Sequence, residues 1–220
     1  MPAVLCDVDG TLVDTTYLHT VSWWQAFAED GVTVPMVTIR GAIGMGADRL
    51  LPHLLGSKPD AERAEAYKRR HDELFRAAWP LLRPTTGAAD LLHTCAKRGV
   101  QVVLASSAGA EELGALRAAI GADDAINGAT NADDVPSSKP APDLVHRALE
   151  LAGTRPEESV FVGDTVWDIR AAHAAGIACI GLTCGGTTAA ELEAGGADAV
   201  YPDPAALVSE FNASLLAHLA

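Results

Sequence analysis

The amino-acid sequence predicts an α/β fold with a doubly wound parallel sheet and an inserted all-helical cap. Two features of the chain lead to this prediction. Short apolar runs typical of buried strands alternate with helical patterns from residue 87 onward, and one more such run lies at the N-terminus. Between residues 15 and 86 only helical periodicity is found. Because parallel strands need crossover connections, which helices supply, the alternating part predicts a sheet with helices on both faces.

The elements of this core follow one another in a regular order. The predicted strands are residues 3–6, 100–105, 159–162 and 177–182, with a weaker one at 198–201. The predicted helices are residues 88–97, 111–120, 143–152 and 167–175. Each helix is followed by a glycine, at 99, 121, 153 and 176. Glycine forms the left-handed cap of a helix at the lowest cost, so we expect the helices to end there.

The cap is predicted from two amphipathic segments. Apolar residues recur at helical spacing over 17–28, before Gly31, and again over 64–78, before Pro80. We assign residues 1–14 and 87–220 to the α/β core and residues 15–86 to the helical cap. Both joining segments leave the core on the side of the strand ends, so we expect the cap to cover them.

The composition limits the kind of partner. Acidic residues outnumber basic ones 29 to 16, for a formal charge of −13, whereas nucleic-acid binders depend on clustered lysine and arginine. We therefore expect no nucleic-acid partner. No stretch reaches the length of about 20 apolar residues that a membrane span needs, and the N-terminus lacks the pattern of a secretory signal. We expect a cytoplasmic protein without a membrane partner, and leave open whether it is a monomer or a homodimer.

Polar residues stand beside the predicted strand ends, where ligands bind in doubly wound sheets. They are Asp7, Asp9 and Thr11 after the first strand, Ser106 and Ser107 after the second, Lys139 before the helix at 143, and Asp164 after the third strand, with Asp168 one helical turn further on. Acids, hydroxyls and a lysine at one edge suit phosphoryl transfer, in which an anionic group must be neutralised, held in line and attacked.

Each residue type has a role in such chemistry. Asp7 can attack phosphorus only if its repulsion from the phosphate is screened, which a Mg²⁺ ion held by Asp7 and Asp164 accomplishes. Hard carboxylate oxygens favour Mg²⁺ over zinc. Asp9 is the candidate general acid and then base. Lys139 pairs with the phosphate and the nucleophile, while the Ser106 hydroxyl and backbone N–H groups after Asp7 hold phosphate oxygens.

The chain resembles the haloacid dehalogenase (HAD) superfamily, in its group of phosphoglycolate phosphatases and β-phosphoglucomutases with a helical cap. Four motifs carry the resemblance, in the family's order and spacing. They are DVDGT at 7–11, LAS at 104–106, SKPAPD at 138–143 and GDTVWD at 163–168. The resemblance implies a Rossmann-like core and a Mg²⁺-dependent phosphatase that acts on a small phosphorylated metabolite.

The resemblance also implies roles for individual residues. Asp7 is the nucleophile that forms an aspartyl-phosphate, Asp9 is the acid and base, and Asp164 is a metal ligand. Asp9 is implied to bind the metal through its backbone carbonyl. Because Thr165 occupies the position next to Asp164, Asp168 is the expected further metal ligand, directly or through water.

The expected phosphate site comprises Lys139, which we also count as catalytic, together with Ser106, Ser107 and Thr11. A sugar phosphomutase resembling β-phosphoglucomutase is the alternative function. Such mutases carry a cap arginine that grips a second phosphate, whereas this chain aligns Ala47 or a neighbour there. The lack of an arginine at this aligned position favours hydrolysis over the phosphomutase reaction.

Two further classes are weighed against the phosphatase. Dehalogenases of this kind lack the second acid of the first motif, which is present here as Asp9. A receiver-like module, phosphorylated on an aspartate to switch partners, shares the acids, the lysine and the sheet. Such a module needs neither the helical cap nor Asp9 as a proton carrier.

Some remaining residues have a structural interpretation. The glycines at 41, 44 and 46 have no preceding strand and no following Gly-Lys pair, so we interpret them as a cap turn near the active site rather than a phosphate loop. His19 resembles a hinge histidine of β-phosphoglucomutases, and a purely structural role is the alternative. Trp23 and Trp24 are expected to pack within the cap. The other histidines are expected on helix surfaces or edges: His53, His71, His93, His146, His173 and His218.

Overall fold

The structure, a computed structural model, describes residues 1–131 and 135–219. Over these ranges it contains six β-strands and ten α-helices. The strands are β1 (Ala3–Cys6), β2 (Gln101–Ala105), β3 (Gly128–Thr130), β4 (Ser159–Gly163), β5 (Ala178–Leu182) and β6 (Ala199–Tyr201). The helices are α1 (Thr16–Glu29), α2 (Met36–Ala42), α3 (Ala47–Leu55), α4 (Ala61–Ala78), α5 (Ala88–Lys97), α6 (Ala110–Ile120), α7 (Asp143–Ala152), α8 (Val166–Ala174), α9 (Ala189–Gly195) and α10 (Pro204–Ser209).

The strands form one sheet in the order β3-β2-β1-β4-β5-β6, in which every neighbouring pair is parallel. The chain winds outward to β2 and β3 on one side of β1 and to β5 and β6 on the other side of β4. Ligands bind at such a reversal, in the crevice beyond the carboxyl ends of the strands. The predicted doubly wound α/β sheet is confirmed, and β1 and β4 place its crevice directly after Cys6 and Gly163.

Both faces of the sheet are covered by helices. Val4 and Cys6 of β1 belong to a buried cluster that includes residues of α5 and α6, whereas Ala3 and Leu5 belong to a second cluster with α7 and α8. Successive side chains of a strand point to opposite faces, so a strand buried on both faces must be apolar throughout. This is why β1 could be recognised from four consecutive apolar residues.

The sequence analysis missed β3. This strand has only three residues, Gly-Ala-Thr, and lies at the edge of the sheet, where it pairs with β2 from Val103 to Ala105. A run this short carries no periodic pattern of its own. The parallel pairing with β2 defines it as a strand.

Helices α1 to α4 fill the insert between β1 and α5 and have a buried cluster of their own. Trp23, Phe27, Ile39, Leu50 and Tyr67 are among its members. This second core is what an all-helical cap requires, since a helix is stable only when its apolar face is covered. The predicted boundaries of the cap, 15–86, and of the core, 1–14 with 87–220, remain our prediction.

The periodicity of residues 17–28 predicted α1 correctly but only part of its buried face. Trp23 is buried as expected, and so is Phe27, whereas Tyr17, Val21 and Trp24 are exposed. The inward face packs against α4 and also carries polar residues such as His19. Hydrophobicity alone therefore did not define the inward face.

The two segments that join the cap to the core run side by side. The Asp14 N–H donates to the carbonyl of Arg83 at 2.9 Å, and Val13 forms an isolated bridge with Pro84. The cap thus enters and leaves at one point next to the end of β1. Among the residues that the structure describes, none of the helices is long and apolar enough to span a membrane.

Candidate active site

Five side chains named by the motifs meet at the reversal of the sheet. Asp7, Ser106 and Asp164 directly follow β1, β2 and β4. Lys139 lies in the loop before α7, and Asp168 lies in the first turn of α8. All five are buried. The parallel strands end at one edge, so residues more than 150 positions apart in the chain come into contact there.

Lys139 ties two of the carboxylates together. Its ammonium donates to Asp7 Oδ1 and, at 2.8 Å, to Asp168 Oδ1. The side chain is 1% exposed, and a buried ammonium is tolerated only when it is paired. Burial alone lowers the pKa of Lys139, but the charges of Asp168 and Asp7 outweigh burial and hold that pKa above its usual range. Lys139 is therefore a permanent positive charge on one oxygen of Asp7.

Thr11 stands on the other side of Asp7. Its hydroxyl oxygen lies 3.1 Å from Asp7 Oδ2 and 3.0 Å from Asp164 Oδ1. A hydroxyl has one proton, so it donates to one of these carboxylates at a time. The sequence analysis assigned Thr11 to the phosphate site, whereas the structure places its hydroxyl between the carboxylates of Asp7 and Asp164.

The carboxylate of Asp164 lies in a narrow space between two glycines. Gly10 has φ +83°, and a Cβ there would lie 2.5 Å from Asp164 Oδ2. A Cβ on Gly185 would collide with the same carboxylate. Glycine is needed at both positions because the backbone approaches Asp164 too closely for any side chain, and at Gly10 also because of the left-handed conformation.

The charges in this site do not balance. Carboxylate oxygens of Asp7, Asp164 and Asp168 lie within 4.8 Å of one another, and Lys139 offsets only one of the three. Burial, opposed by Lys139 and reinforced by Asp168 and Asp9, raises the pKa of Asp7 from 3.8 to about 7. Burial and the neighbouring acids Asp168 and Asp7 also raise the pKa of Asp164 well above its usual value. Clustered hard oxygens with excess negative charge fit a divalent cation.

Asp168 accepts hydrogen bonds on both of its oxygens, and Asp7 does so too when the Thr11 hydroxyl donates to its Oδ2. Asp168 Oδ1 accepts from Lys139, while Asp168 Oδ2 accepts from the backbone N–H of Thr165 at 3.0 Å and from the Thr165 hydroxyl at 2.6 Å. The bond from the Thr165 N–H, together with the Asp168 N–H that donates to the Thr165 hydroxyl oxygen at 3.3 Å, forms a capping box at the start of α8. The Thr11 hydroxyl serves only one of Asp7 and Asp164 at a time, so these two acids are the more available ligands, and Asp168 anchors Lys139.

Asp9 begins a chain of hydrogen bonds that crosses from the core into the cap. Asp9 Oδ1 accepts from the Thr15 hydroxyl at 2.8 Å and lies 3.1 Å from His19 Nε2. His19 Nδ1 lies 3.0 Å from His71 Nε2, and His71 Nδ1 lies 2.9 Å from Asp72 Oδ1. The helices α1 and α4 supply the two imidazoles, so the packing of the cap holds Asp9 in place.

Counting donors along this chain locates its protons. The carboxylate of Asp72 accepts a hydrogen bond, so His71 Nδ1 carries a hydrogen. Burial lowers the pKa of His71 to about 4, so this imidazole is neutral and its Nε2 accepts from His19 Nδ1. The contact between His19 Nε2 and Asp9 then holds one proton. Burial lowers the pKa of His19, but the hydrogen bond to Asp9 and the charges of Asp9, Glu112 and Asp72 together outweigh burial and raise it. Burial raises the pKa of Asp9, but the bond and charge of His19, with Thr15 and Lys139, together outweigh burial and lower it, so the shared proton lies nearer His19.

The prediction that His71 lies on a helix surface is wrong. His71 is buried; its ring stacks on Trp23, at 4.2 Å between ring centroids, and lies nearly parallel to that of Phe75, at 6.0 Å. The sequence does indicate that His71 is buried, because His71 stands four residues from both Tyr67 and Phe75 on the apolar face of α4. Thr15 and Asp72 were also missed, since nothing in their local pattern shows that they contact the Asp9–His19–His71 chain.

The two serines after β2 have different surroundings. The Ser106 hydroxyl is fully buried and accepts from the backbone N–H of Ala108 at 3.0 Å. The Ser107 hydroxyl is buried without a hydrogen-bond partner among the described residues, and Ser107 lines the cavity above Asp7. An unpaired buried hydroxyl is costly unless a ligand completes it, which makes Ser107 the more available phosphate ligand.

A cavity of ≈ 90 Å³ lies between this site and the cap. Asp7, Asp9 and Lys139 line it from the core. The cap contributes a roof that includes His19, Trp23, Gly44, Met45, Ala47, Lys68, His71 and Asp72. One water needs about 10–15 Å³ of such space, so the cavity accommodates a small organic molecule. The cap arginines 40 and 49 do not line it; Arg40 donates to the carbonyl of Gly186 at 2.9 Å, and Arg49 to the Ser137 hydroxyl at 3.4 Å.

Known proteins resemble this chain along most of its length. Residues 1–176 match the family described as haloacid dehalogenase-like hydrolase. A phosphoglycolate phosphatase of Pseudomonas putida is 28% identical over 211 residues, which cover 93% of this chain and 78% of the relative. A hydrolase of known structure from Pseudomonas syringae is 29% identical with a TM-score of 0.92, and the match covers 97% of this chain and 99% of that one. A mutant of CbbY from Rhodobacter sphaeroides, solved in complex with xylulose-(1,5)bisphosphate, is 27% identical with a TM-score of 0.78, over 94% of this chain and 96% of that one.

The family match includes the buried site as well as the cap. It begins before Asp7 and ends after Asp168, and so contains every side chain that the sheet brings together. It covers 176 of the 220 residues, well over half of the chain. The chain belongs to the haloacid dehalogenase-like hydrolases.

Proposed function

We propose that this haloacid dehalogenase-like phosphatase hydrolyses a small phosphorylated metabolite with the help of Mg²⁺, through an aspartyl-phosphate on Asp7. The observation that carries the proposal is the position of Asp7 on the cavity wall, with Lys139 on one of its oxygens and a proton-bearing Asp9–His19 pair beside it. A nucleophile, a fixed cation and a proton donor are the groups that phosphoryl transfer needs.

In the first half of the reaction, an oxygen of Asp7 forms a bond to phosphorus while the bond from phosphorus to the ester oxygen breaks. Lys139 holds the carboxylate in position, and its charge offsets that of the incoming phosphate. Asp7 and Asp164 would hold the Mg²⁺ ion, which would supply further positive charge and so lower the repulsion between the carboxylate and the phosphate. The departing alkoxide takes the proton that Asp9 and His19 share.

In the second half, water attacks the phosphorus of the aspartyl-phosphate. Asp9, which has lost the shared proton, accepts one from the water as the new bond forms. The bond from phosphorus to Asp7 breaks, inorganic phosphate leaves, and both acids return to their starting state. During both halves the hydroxyl of Ser107 and the ammonium of Lys139 are the proposed contacts for phosphate oxygens.

The roles of the remaining predicted residues are also proposals. We propose that Asp164, and the backbone carbonyl of Asp9, bind the metal, with Asp168 acting as the anchor of Lys139. Thr11 then orients the carboxylates of Asp7 and Asp164 between which its hydroxyl lies. Ser106 supports the turn that presents Ser107, through its bond with Ala108.

For the substrate, we propose a small phosphate ester of the size of phosphoglycolate or a sugar phosphate. The relatives include a phosphoglycolate phosphatase, and CbbY has been solved with a sugar bisphosphate. The small cavity favours the shorter of these molecules. The roof described here contains Ala47 and no arginine, which supports hydrolysis over a phosphomutase reaction that must grip a second phosphate. A cytoplasmic location and a monomer or homodimer stay predictions.

The test is a panel of phosphate esters assayed with Mg²⁺ for release of inorganic phosphate, including 2-phosphoglycolate, glycerol 3-phosphate, glucose 1-phosphate and xylulose 1,5-bisphosphate. We expect continuous release from one ester with a clear preference, and a phosphorylated Asp7 when the reaction is quenched and examined by mass spectrometry. Isomerisation of a sugar phosphate without phosphate release would indicate the mutase. A single turnover without further release would indicate the receiver-like module.

A further inference from the structure

The glycine turn of the cap, residues 41–48, packs directly on two loops of the active site. A Cβ on Gly44 would lie 2.8 Å from the Thr165 hydroxyl, and a Cβ on Gly46 would lie 2.6 Å from the Cβ of Ser138. The indole N–H of Trp167 also donates to the carbonyl of Gly41 at 3.0 Å. Gly44 and Gly46 therefore serve the close approach of the cap to the core, whereas a Cβ on Gly41 would meet nothing within 4 Å.

One side chain of this turn makes a direct polar contact with the segment that carries Lys139. Asp48, in the first turn of α3, accepts from the Ser138 hydroxyl and, at 3.4 Å, from the Ser138 backbone N–H. The backbone N–H of Gly46 donates to the same hydroxyl at 3.1 Å. The Ser138 hydroxyl thus donates to Asp48 and accepts from Gly46.

The contact is placed where it controls Lys139. Residues 135–138 form no helix or strand, so the order of this segment comes from contacts with other elements and from one turn, in which the Ala141 N–H donates to the Ser138 carbonyl at 3.0 Å. Lys139 follows Ser138 immediately and must keep its ammonium on both Asp7 and Asp168. A rotation of the backbone at Ser138 would move the ammonium away from the nucleophile.

We propose that Asp48 is a positioning residue: through Ser138, this carboxylate of the cap holds Lys139 against Asp7. The inference rests on the proposed function, in which Lys139 assists the attack by Asp7. It makes the catalytic charge of the core dependent on the docking of the cap, since the link is complete only when the glycine turn lies on the Lys139 segment.

A double-mutant cycle tests the link. We compare Asp48→Ala, Ser138→Ala and the double variant with the wild type, measuring kcat on p-nitrophenyl phosphate and on an alkyl phosphate. Asp48 is about half exposed, so we expect the lower end of the effect of losing a charged hydrogen bond, a fall in kcat of about tenfold for each single variant. The double variant should be little slower than the slower single variant, because both single variants remove the bond between the Ser138 hydroxyl and Asp48.

Three features of the result separate positioning from other effects. The fall should be equal for both substrates, because Lys139 acts on the nucleophile and not on the leaving group. Asp48→Asn should keep kcat within about threefold of the wild type, since the amide oxygen still accepts from Ser138. The matched control is Asp60→Ala, which removes the N-cap of α4, where Asp60 accepts from the Arg63 N–H at 2.8 Å; it weakens the cap itself, and kcat should stay within about twofold.

The proposal is overturned if Asp48→Ala and Ser138→Ala are additive, if Asp48→Ala raises KM alone, or if Asp60→Ala lowers kcat as much. Amide hydrogen exchange over residues 135–141 gives a readout that does not require activity. We expect faster exchange there in Asp48→Ala than in the wild type or Asp60→Ala, and unchanged exchange overturns the link. A wild type that turns over neither ester refutes the proposed function, whereas the exchange result still decides whether Asp48 orders the Lys139 segment.

Discussion

Replacing Asp7 by asparagine is expected to stabilise the metal-free protein while abolishing its turnover. Asp7 is buried next to Asp164 and Asp168, and Lys139 offsets only part of their charge. Burial, with Lys139 opposing it and neighbouring acids adding to it, raises the pKa of Asp7 from 3.8 to about 7. Asparagine has nearly the same shape and no charge to bury, so the fold should keep its packing, whereas an amide is a poor nucleophile.

The sign and size of the effect follow from proton linkage. An acid whose pKa is higher in the folded state holds its proton more tightly when folded, so its stabilising effect is complete below 3.8 and is lost as the pH rises towards about 7. The difference between the pKa of Asp7 in the folded and the unfolded state corresponds to about 4 kcal/mol in the free energy of unfolding at pH 8, and to less than about half of that at pH 5. The asparagine variant lacks this titration. Because the neighbouring acids share the charge, we expect the free energy of unfolding of Asp7→Asn to exceed that of the wild type by at least about 2 kcal/mol at pH 8. This raises Tm by about 4–8 °C in a chain of this length.

Calorimetric unfolding in EDTA at pH 5 and pH 8 measures this effect, and phosphate release with Mg²⁺ measures turnover. The control is Asp14→Asn, at an exposed position, where we expect a change in Tm of less than about 2 °C at both pH values. If Asp7→Asn melts at or below the wild-type temperature at pH 8, or if its gain is the same at both pH values, the electrostatic account of Asp7 is refuted. Wild-type-like turnover would remove Asp7 from the mechanism.

Three further predictions concern the acid, the metal and the cap. Asp9→Asn should slow hydrolysis of an alkyl phosphate by about 10²–10⁴-fold, since the alkoxide then leaves without a proton. With p-nitrophenyl phosphate, this variant should give a burst of p-nitrophenol and a stalled phospho-Asp7, seen by rapid quench and mass spectrometry. Equal losses of activity on both substrates, without a burst, would contradict the acid/base role. Chelation with EDTA should stop turnover and added Mg²⁺ should restore it, so full activity in excess EDTA would show that no divalent ion is needed. His71→Phe keeps an aromatic ring stacked on Trp23 but removes the hydrogen bond to His19. The kcat for the alkyl phosphate should fall by about tenfold and that for p-nitrophenyl phosphate by much less. An equal fall for both substrates would assign His71 to packing.

Much of the fold could be read from local patterns. The strands β1, β2, β4 and β5 stand where apolar runs predicted them, because a strand buried on both faces must be apolar throughout. The edge strand β6, which is only half-buried, coincides with the weaker run at 198–201. Glycines with positive φ follow four of the core helices, at 99, 121, 153 and 176, as expected from their low cost in that conformation. The edge strand β3 and the complete buried face of α1 were not predicted, since pairing with β2 defines the first and packing against α4 defines the second.

The sequence by itself determined which residues stand at the ends of the strands, because the order of apolar runs and polar motifs is a property of the chain. It therefore sufficed to name Asp7, Lys139 and Asp164 as neighbours across long distances. Only the tertiary structure decided how their hydrogen bonds are shared: that Thr11 lies between two carboxylates, that Asp168 is saturated by Lys139 and Thr165, and that His71 continues the chain from Asp9. The physical reason is that periodicity records which side of an element is buried, whereas the partner of a polar atom depends on how separate elements pack, and a hydrogen bond is made or lost within a few tenths of an ångström.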